Sequence, residues 1–332
     1  MSRSLVGSSS TTRLEGSANS FASRNIAIKE VQEFSLQRKV VAHITSSSWK
    51  NIPHVSYLYE PDITDFHAEF ENLAAEYSRK AIGPRKLSFN TILLKVMVEG
   101  LLAAPRLNSL LEYAARTGKG RLLVCADINI SFPWLLPDGR MITPIIAKAD
   151  KLSLDSICDA IAALGQKIER TNIDEMLYQS VYADTLGELK RLNFRMIPRI
   201  FSAAFGPQKL VPLRGEERKR YYSLSADLRL TEKDMMDGTV TISNIGSLYR
   251  EQHGYFGLLE VVPPQVLAVG ISAVQEKAGV FLDRVRSQQI GVRKFIPMCL
   301  AFDHRAVDFD ALVPFLRRLD EIFAHPEEIH TW

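Results

Sequence analysis

The residue of this sequence best placed to do chemistry is His304, which stands between two apolar stretches near the end of the chain. Residues 295–300 are continuously apolar, which is typical of a buried strand, and residues 311–323 carry apolar side chains at helical spacing. A strand-to-helix junction holds the backbone rigidly while a side chain faces a ligand. An imidazole there can accept a proton near neutral pH, so His304 is a candidate general base.

Two aspartates follow this histidine, Asp308 four residues later and Asp310 at the start of the predicted helix. Both residue types accept hydrogen bonds from the free amides of a helix N-terminus, so we expect Asp308 to cap the helix. The alternative for the pair is purely structural, with His304 an ordinary junction histidine and Asp308 an ordinary cap.

A hydroxyl group is expected at the end of another strand. Residues 239–243 alternate hydroxyl and apolar side chains, which places Ser243 last on the polar face of the strand, and residues 244–247 supply a turn. A serine fixed in this way can donate a hydrogen bond to a developing oxyanion. The alternative is a polar strand face that is turned to solvent.

The elements that must position these residues alternate between helices and strands, which predicts the α/β class. We predict helices over residues 34–48, 66–77, 89–104, 153–168 and 311–323, and strands over residues 53–59, 121–131, 141–148, 239–243, 266–271 and 295–300. The strands at 121–131 and 141–148 are expected to form a hairpin. No glycine-rich phosphate loop and no Gly-x-Ser-x-Gly elbow is found in the sequence.

Two segments differ from this pattern. Residues 1–29 are rich in Ser, Thr and Arg, so we predict a mobile tail, with an organellar transit peptide as the alternative. Residues 180–225 are the least regular part of the remaining domain, 30–332, and are interpreted as an atypical insertion.

Composition narrows the classes of function. Of the 332 residues, 46% are hydrophobic, which suits a sizeable core. The 41 basic and 38 acidic residues are too nearly balanced, at a net charge of +3, for a nucleic-acid binder. No apolar run is long enough for a membrane span. Cys125, Cys158 and Cys299 lack the paired spacing of a zinc site or a disulfide framework, so we expect buried thiols, no metal and a cytoplasmic location.

Several fragments in one order resemble the catalytic domain of dihydrolipoyl acyltransferases of 2-oxo acid dehydrogenase complexes, a family similar in fold to chloramphenicol acetyltransferase. The resembling fragments are residues 38–42, 53–55, 87–90, 94–95, 105–108, 127–130, 139–146, 238–246 and 263–264, and Asp303-His304-Arg305 with Asp308. We expect the resemblance to cover the catalytic domain, over roughly residues 31–330.

The resemblance implies an open α/β sandwich, a mixed sheet with flanking helices, and homotrimers or higher assemblies of trimers with an active site between two subunits. Coenzyme A, as free CoA or acyl-CoA, would be a substrate, and the acceptor thiol would be a dihydrolipoyl group. Because the sequence contains nothing like a lipoyl domain, that group is expected on a separate lipoyl or other carrier protein.

The resemblance also assigns roles to individual residues. His304 matches the general base, Ser243 the donor to the oxyanion, and Asp308 the acid that pairs with an arginine at the position of Arg38. Asn244 and Asp303 are expected to support the site. Two alternatives stay open: an enzyme of this fold with different chemistry, such as condensation or cyclisation, and a non-catalytic trimeric scaffold. The scaffold is suggested by Phe309, which stands where the family usually has a glycine.

Overall fold

The structure is a computed structural model that describes residues 29–80, 87–176, 178–179, 213–283 and 285–332. Its α-helices are α1 (Leu36–Asn51), α2 (Thr64–Lys80), α3 (Phe89–Ala103), α4 (Leu154–Glu169), α5 (Gly215–Ser223) and α6 (Phe309–Ala324). Its strands are β1 (His54–Tyr59), β2 (Ser109–Ala114), β3 (Lys119–Val124), β4 (Ile130–Ser131), β5 (Trp134–Leu135), β6 (Met141–Ile142), β7 (Ile145–Ile146), β8 (Val240–Asn244), β9 (Leu267–Ile271), β10 (Gln275–Leu282), β11 (Gln288–Phe295) and β12 (Met298–Asp303).

A mixed six-stranded sheet forms the centre of the domain, with strand order β1-β12-β9-β8-β4-β7. Strand β8 is parallel to both β4 and β9, and the other neighbouring pairs are antiparallel. The predicted α/β class with a mixed sheet and flanking helices is therefore confirmed.

Helices α3 and α6 cover the first face of this sheet. Val240 and Ile242 of β8 point into the core on this side and are fully buried. The two helices approach closely at Gly100, where an added Cβ atom would lie 2.5 Å from a methyl carbon of Leu319. As predicted, α6 buries its apolar stripe, and α3 is stopped by Pro105.

The second face of the sheet is lined by small residues. Ala268 and Ala301 form a separate apolar cluster with Ile52 and Val261. An added Cβ at Gly270 would meet the side chain of Leu259 at 2.5 Å, so the segment that precedes β9 packs directly on the strand. Because side chains alternate along β8, Ser243 lies on this second face.

The hairpins differ from the prediction for residues 121–131. Strand β3 pairs with β2, and only β4 pairs with β7 as the returning strand. The predicted continuous strand is interrupted because side chains satisfy the intervening backbone: Asp150 accepts from the Ile128 N–H at 2.8 Å, and Thr239 Oγ1 accepts from the Asn129 N–H at 3.0 Å.

The predicted tail, 1–29, lies outside the described residues except for its last position, and so do residues 180–212 of the predicted insertion. The remainder of that segment contains α5. Cys158 and Cys299 are buried as expected, whereas Cys125 is partly exposed because it follows the last residue of the β2–β3 hairpin. Within the described parts of the chain, no helix is long and apolar enough to cross a membrane.

Candidate active site

His304 lies in the turn between β12 and α6, which confirms the predicted strand-to-helix junction. Its backbone N–H donates a hydrogen bond of 3.1 Å to the carbonyl oxygen of Pro53, the residue before β1. Its side chain is 49% exposed. The backbone of the histidine is thus fixed to a neighbouring element while its imidazole stays open to a ligand.

The turn that carries His304 is held by a buried carboxylate. Asp303 is 1% exposed, and its Oδ2 accepts from Nη2 of Arg305 at 2.6 Å. Its Oδ1 accepts from the Arg305 backbone N–H at 2.9 Å, and the guanidinium lies 5.1 Å from the ring centre of Tyr113. The hydrogen bonds from Arg305 to Asp303 raise the pKa of Arg305 further, against the opposing effect of burial. The supporting role predicted for Asp303 remains a prediction, and these contacts suit it.

Asp308 occupies the N-cap position of α6, but the expected capping hydrogen bond from its side chain is absent. Its Oδ1 lies instead 3.2 Å from Nδ1 of His304. Both side chains are exposed on the same turn, which lets the carboxylate approach the imidazole. This contact favours a proton on Nδ1 and leaves Nε2 available to accept one.

Arg38 does not complete this arrangement within the described protomer. It lies exposed in the first turn of α1, with its guanidinium 5.9 Å from the ring centre of Phe34, and forms no ion pair with Asp308. Phe309 is 46% exposed and packs against Tyr57 at a ring distance of 5.0 Å. The imidazole of His304 is itself 49% exposed, so the phenylalanine does not enclose it in the protomer.

Ser243 is half-buried near the end of β8 and borders a cavity of about 290 Å³. Among the described residues, its Oγ has no hydrogen-bond partner, so it is available to a ligand. Asn244 fixes the turn that follows, because its Oδ1 accepts from the Ser247 N–H at 3.1 Å while its Nδ2 donates to Asn90 of α3. The supporting role predicted for Asn244 remains a prediction, and this geometry suits it.

The cavity at Ser243 adjoins two others and shares lining residues with each of them. Asn90 and Ser247 also border a cavity of about 420 Å³ that contains Arg250 and His67. Met141 also borders a cavity of about 600 Å³ on the far side. We call these three adjoining cavities the groove, and Ser243 borders the middle one.

The two predicted reacting groups lie at opposite ends of the sheet. Ser243 is in register with Gly270, and Gly270 with Cys299, five residues before His304. At about 3.3 Å per residue, His304 is about 17 Å from Ser243 along the strands, and two strand spacings add about 10 Å sideways. One protomer therefore does not bring the imidazole and the hydroxyl together.

Several residues of the groove were missed by sequence reasoning. Asn90 and Met141 were seen only as parts of resembling fragments, and Glu260 and Gln265 were not singled out. They come from separate segments that meet only in the folded domain, and no local pattern marks them. Among the described residues, no group of three or more His, Cys, Asp or Glu is arranged to hold a metal ion.

Comparison with known proteins adds two relatives and one solved structure. The lipoamide acyltransferase component of the branched-chain alpha-keto acid dehydrogenase complex of Bacillus subtilis (strain 168) is 23% identical over 88% of this chain and 51% of that protein. The dihydrolipoyllysine-residue succinyltransferase component of the 2-oxoglutarate dehydrogenase complex of Bartonella vinsonii subsp. berkhoffii is 33% identical over 34% of this chain and 26% of that protein. The chain thus spans about half the length, or less, of these relatives.

The fold is shared with the cubic core of the pyruvate dehydrogenase multienzyme complex, at a TM-score of 0.59 and 22% identity, over 93% of this chain and 96% of that one. The family model of 2-oxoacid dehydrogenases acyltransferase (catalytic domain) matches residues 27–182 and 214–331. The stretch between the two matched parts lies inside the segment 180–225. By these matches and this fold, the chain belongs to the family of 2-oxoacid dehydrogenase acyltransferase catalytic domains.

Proposed function

We propose that this chain is a CoA-dependent acyltransferase that moves an acyl group between coenzyme A and a thiol, with His304 of one protomer and Ser243 of another forming each active site. The observation that carries the proposal is the placement of these two groups. Each is accessible and positioned by hydrogen-bonded turns, and they lie at opposite ends of one sheet. A homotrimer, or a larger assembly of trimers, would bring the two ends together at every interface.

The reaction follows from the chemistry of the two side chains. Nε2 of His304 takes the proton from the acceptor thiol, and the sulfur attacks the carbonyl carbon of the thioester. The carbonyl oxygen becomes an oxyanion and accepts a hydrogen bond from Oγ of Ser243. When the tetrahedral intermediate collapses, the C–S bond to coenzyme A breaks, and the leaving thiolate recovers the proton from the imidazolium.

The part of the groove next to Ser243 suits the anionic portion of coenzyme A. The cavity of about 420 Å³ is bordered by Arg250, His67 and the N-terminal turn of α3. Lys294 adds a second cation beside Arg250, since its Nζ lies 3.1 Å from Nδ1 of His67. Burial, and then the charge of Lys294, lowers the pKa of His67, so the neutral form of this histidine is favoured. Cationic side chains and free helix amides both attract phosphate groups. The pantetheine arm would then run past Asn90 to Ser243.

The acceptor that fits the family is a dihydrolipoyl group carried by a separate protein. The relatives named above are components of 2-oxo acid dehydrogenase complexes, which supports this choice. The buried free thiols of Cys158 and Cys299 suit a reducing compartment such as the cytoplasm, or an organellar matrix.

The test is complementation between two inactive variants. His304→Ala is expected to lower kcat by about 10²- to 10⁴-fold, and Ser243→Ala by about 10²- to 10³-fold. When the two variants are co-expressed with different tags and the trimers that carry both tags are isolated, one of the three interfaces in each mixed trimer combines an intact histidine with an intact serine, provided that each site uses one group from each protomer.

Recovery of about one third of the wild-type rate per site supports the shared active site. No recovery in mixed assemblies would contradict it. Acyl-CoA consumption without acyl transfer to dihydrolipoamide would instead favour different chemistry on the same fold. Coenzyme A binding without turnover by the wild-type protein would favour a scaffold.

A further inference from the structure

The largest cavity in the groove is a chamber of about 600 Å³, within the size range of small-molecule sites. Its walls are mostly apolar and include the methionines Met141, Met176 and Met235, with Val40 and Ile44 of α1 on the opposite side. Methionine side chains are flexible and polarizable, so they adapt to aliphatic ligands of different shape. We call this cavity the methionine chamber.

The methionine chamber adjoins the cavity in which the proposed reacting carbonyl group would lie. Thr241 borders the chamber and stands two residues before Ser243 on the same face of β8, a separation of about 7 Å along the strand. Met141 borders both the chamber and the cavity at Ser243. A chain attached to a carbonyl carbon at Ser243 and directed away from the cationic end of the groove therefore enters the chamber.

The polar groups at the floor of the chamber are bonded to one another. Thr241 Oγ1 donates to Oε1 of Gln265 at 2.6 Å. Nε2 of Gln265 in turn donates to Oγ of Ser131 at 3.2 Å and to the carbonyl oxygen of Gly238 at 2.9 Å. These donors are already used within the protein, so this network offers little to a charged ligand group.

The charges at the chamber wall are negative. Glu260 and Asp237 border it, and among the described residues that line it there is no Lys, Arg or His. Burial raises the pKa of Glu260 above its usual value. A second carboxylate placed in this chamber would lose its hydration, meet like charges and gain no cationic partner.

We propose that the methionine chamber binds the acyl chain of the thioester and selects uncharged aliphatic acyl groups over those that end in a carboxylate. The inference rests on the proposed acyltransferase function and names the substrate class of that same site. A branched or straight aliphatic chain that covers the distance from Ser243 to Thr241 would displace water from the methionine side chains. Each buried methylene is worth about a fourfold gain in affinity.

The experiment compares acetyl-, isovaleryl-, hexanoyl- and succinyl-CoA as donors to free dihydrolipoamide, using the full chain. The kcat/KM for isovaleryl- or hexanoyl-CoA is expected to exceed that for acetyl-CoA by about tenfold or more, and that for succinyl-CoA by about 100-fold or more. Direct binding of the same four thioesters is measured by calorimetry, which tests the preference independently of turnover.

Two variants with matched controls locate the selectivity. Glu260→Gln is expected to raise kcat/KM for succinyl-CoA relative to isovaleryl-CoA by about tenfold. Glu276→Gln, on the exposed hairpin, should leave this ratio unchanged. Met235→Trp reduces the chamber volume and should lower the hexanoyl-to-acetyl ratio, whereas Met236→Trp should not, because Met236 is 53% exposed and does not border the chamber.

The outcomes separate this inference from the proposed function. If no acyl group is transferred, the function fails, and the binding series alone decides the preference of the chamber. If transfer occurs but succinyl-CoA is used as well as isovaleryl-CoA, the inference is overturned and the function stands. If Met235→Trp alters KM for dihydrolipoamide but leaves the hexanoyl-to-acetyl ratio of kcat/KM unchanged, the chamber binds the acceptor. That outcome also overturns the inference.

Discussion

Nδ1 of His304 and Oδ1 of Asp308 lie 3.2 Å apart across the turn between β12 and α6. The carboxylate stands at the N-cap of the helix yet makes no capping hydrogen bond with its side chain. The contact with the imidazole of His304 therefore distinguishes Asp308 from an ordinary capping residue. In the proposed reaction, Asp308 acts as a positioning residue for the base.

Asp308→Ala should therefore lower kcat by about tenfold or more, with KM for acyl-CoA nearly unchanged, because the imidazole loses its preferred orientation. Asp308→Asn should not restore the rate, since an amide that donates to Nδ1 would leave the proton on Nε2. Steady-state kinetics and thermal denaturation check both variants. Asp310→Ala, in the first turn of α6, is the matched control and should keep the wild-type rate. An unchanged kcat in Asp308→Ala would argue against the positioning role.

The buried ion pair beside the histidine should contribute more to stability than an exposed one. Asp303→Ala leaves the guanidinium of Arg305 without its carboxylate, so we expect a loss of about 3 kcal/mol in the free energy of unfolding. The comparison is Asp310→Ala, which removes an exposed pair with Arg106 and should cost less than about 1 kcal/mol. Chemical denaturation at neutral pH measures both. Similar losses for the two variants would show that the Asp303 pair does not hold the turn.

A backbone contact fixes the turn after Ser243. A Cβ atom added at Gly246 would lie 2.4 Å from the backbone nitrogen of Ala273, and a backbone cannot yield as the end of a side chain does. Gly246→Ala should therefore destabilise the domain by about 1–3 kcal/mol, and it should lower transfer activity by displacing Ser243. Gly254→Ala is the control, because a Cβ there meets nothing within 4 Å. Wild-type stability of Gly246→Ala would mean that the turn has another conformation.

The parts of the fold that could be predicted are those where the local pattern and burial agree. The stripe of α6 and the alternation of β8 both place apolar side chains in the core, so one sequence suffices to find them. Strands β10 and β11 were missed because their apolar residues face outward: Val280, Ile290 and Val292 are 64–80% exposed. In this hairpin, the positions of the apolar side chains do not indicate which face of the strands is buried.

The candidate site was predictable only in part, for a similar reason. The resemblance and the element boundaries identified His304 and Ser243, and the structure places both at ends of strands. The methionine chamber depends on contacts between α1, Met176, Met235 and the segment before β9, which no spacing in the sequence encodes. The separation of His304 from Ser243 likewise follows from strand register and not from chain distance.

The hairpin β10–β11 is tied to α2 by a carboxylate whose protonation should be visible in stability. Asp62 Oδ2 accepts from Nε of Arg293 at 2.6 Å, and its Oδ1 accepts from the backbone N–H and hydroxyl of Thr64. Burial raises the pKa of Asp62, but the hydrogen bonds from Arg293 and Thr64 outweigh it and hold the pKa below its usual value. A lowered pKa in the folded state means that ionised Asp62 stabilises the fold above its unfolded pKa, about 3.9, and that this stability is lost as pH falls through the folded value.

Asp62→Asn should therefore reduce the free energy of unfolding by about 1–3 kcal/mol at pH 7. This gap in stability between the wild type and the variant should shrink progressively below about pH 4. Thermal denaturation at pH 7, 5 and 3.5 measures the gap. Asp65→Asn is the matched control, because Asp65 also binds Arg293 but is 73% exposed, so its removal should have little effect at any pH. If the Asp62→Asn gap stays the same down to pH 3.5, the charge of Asp62 does not hold the hairpin, and shape or packing must do so instead.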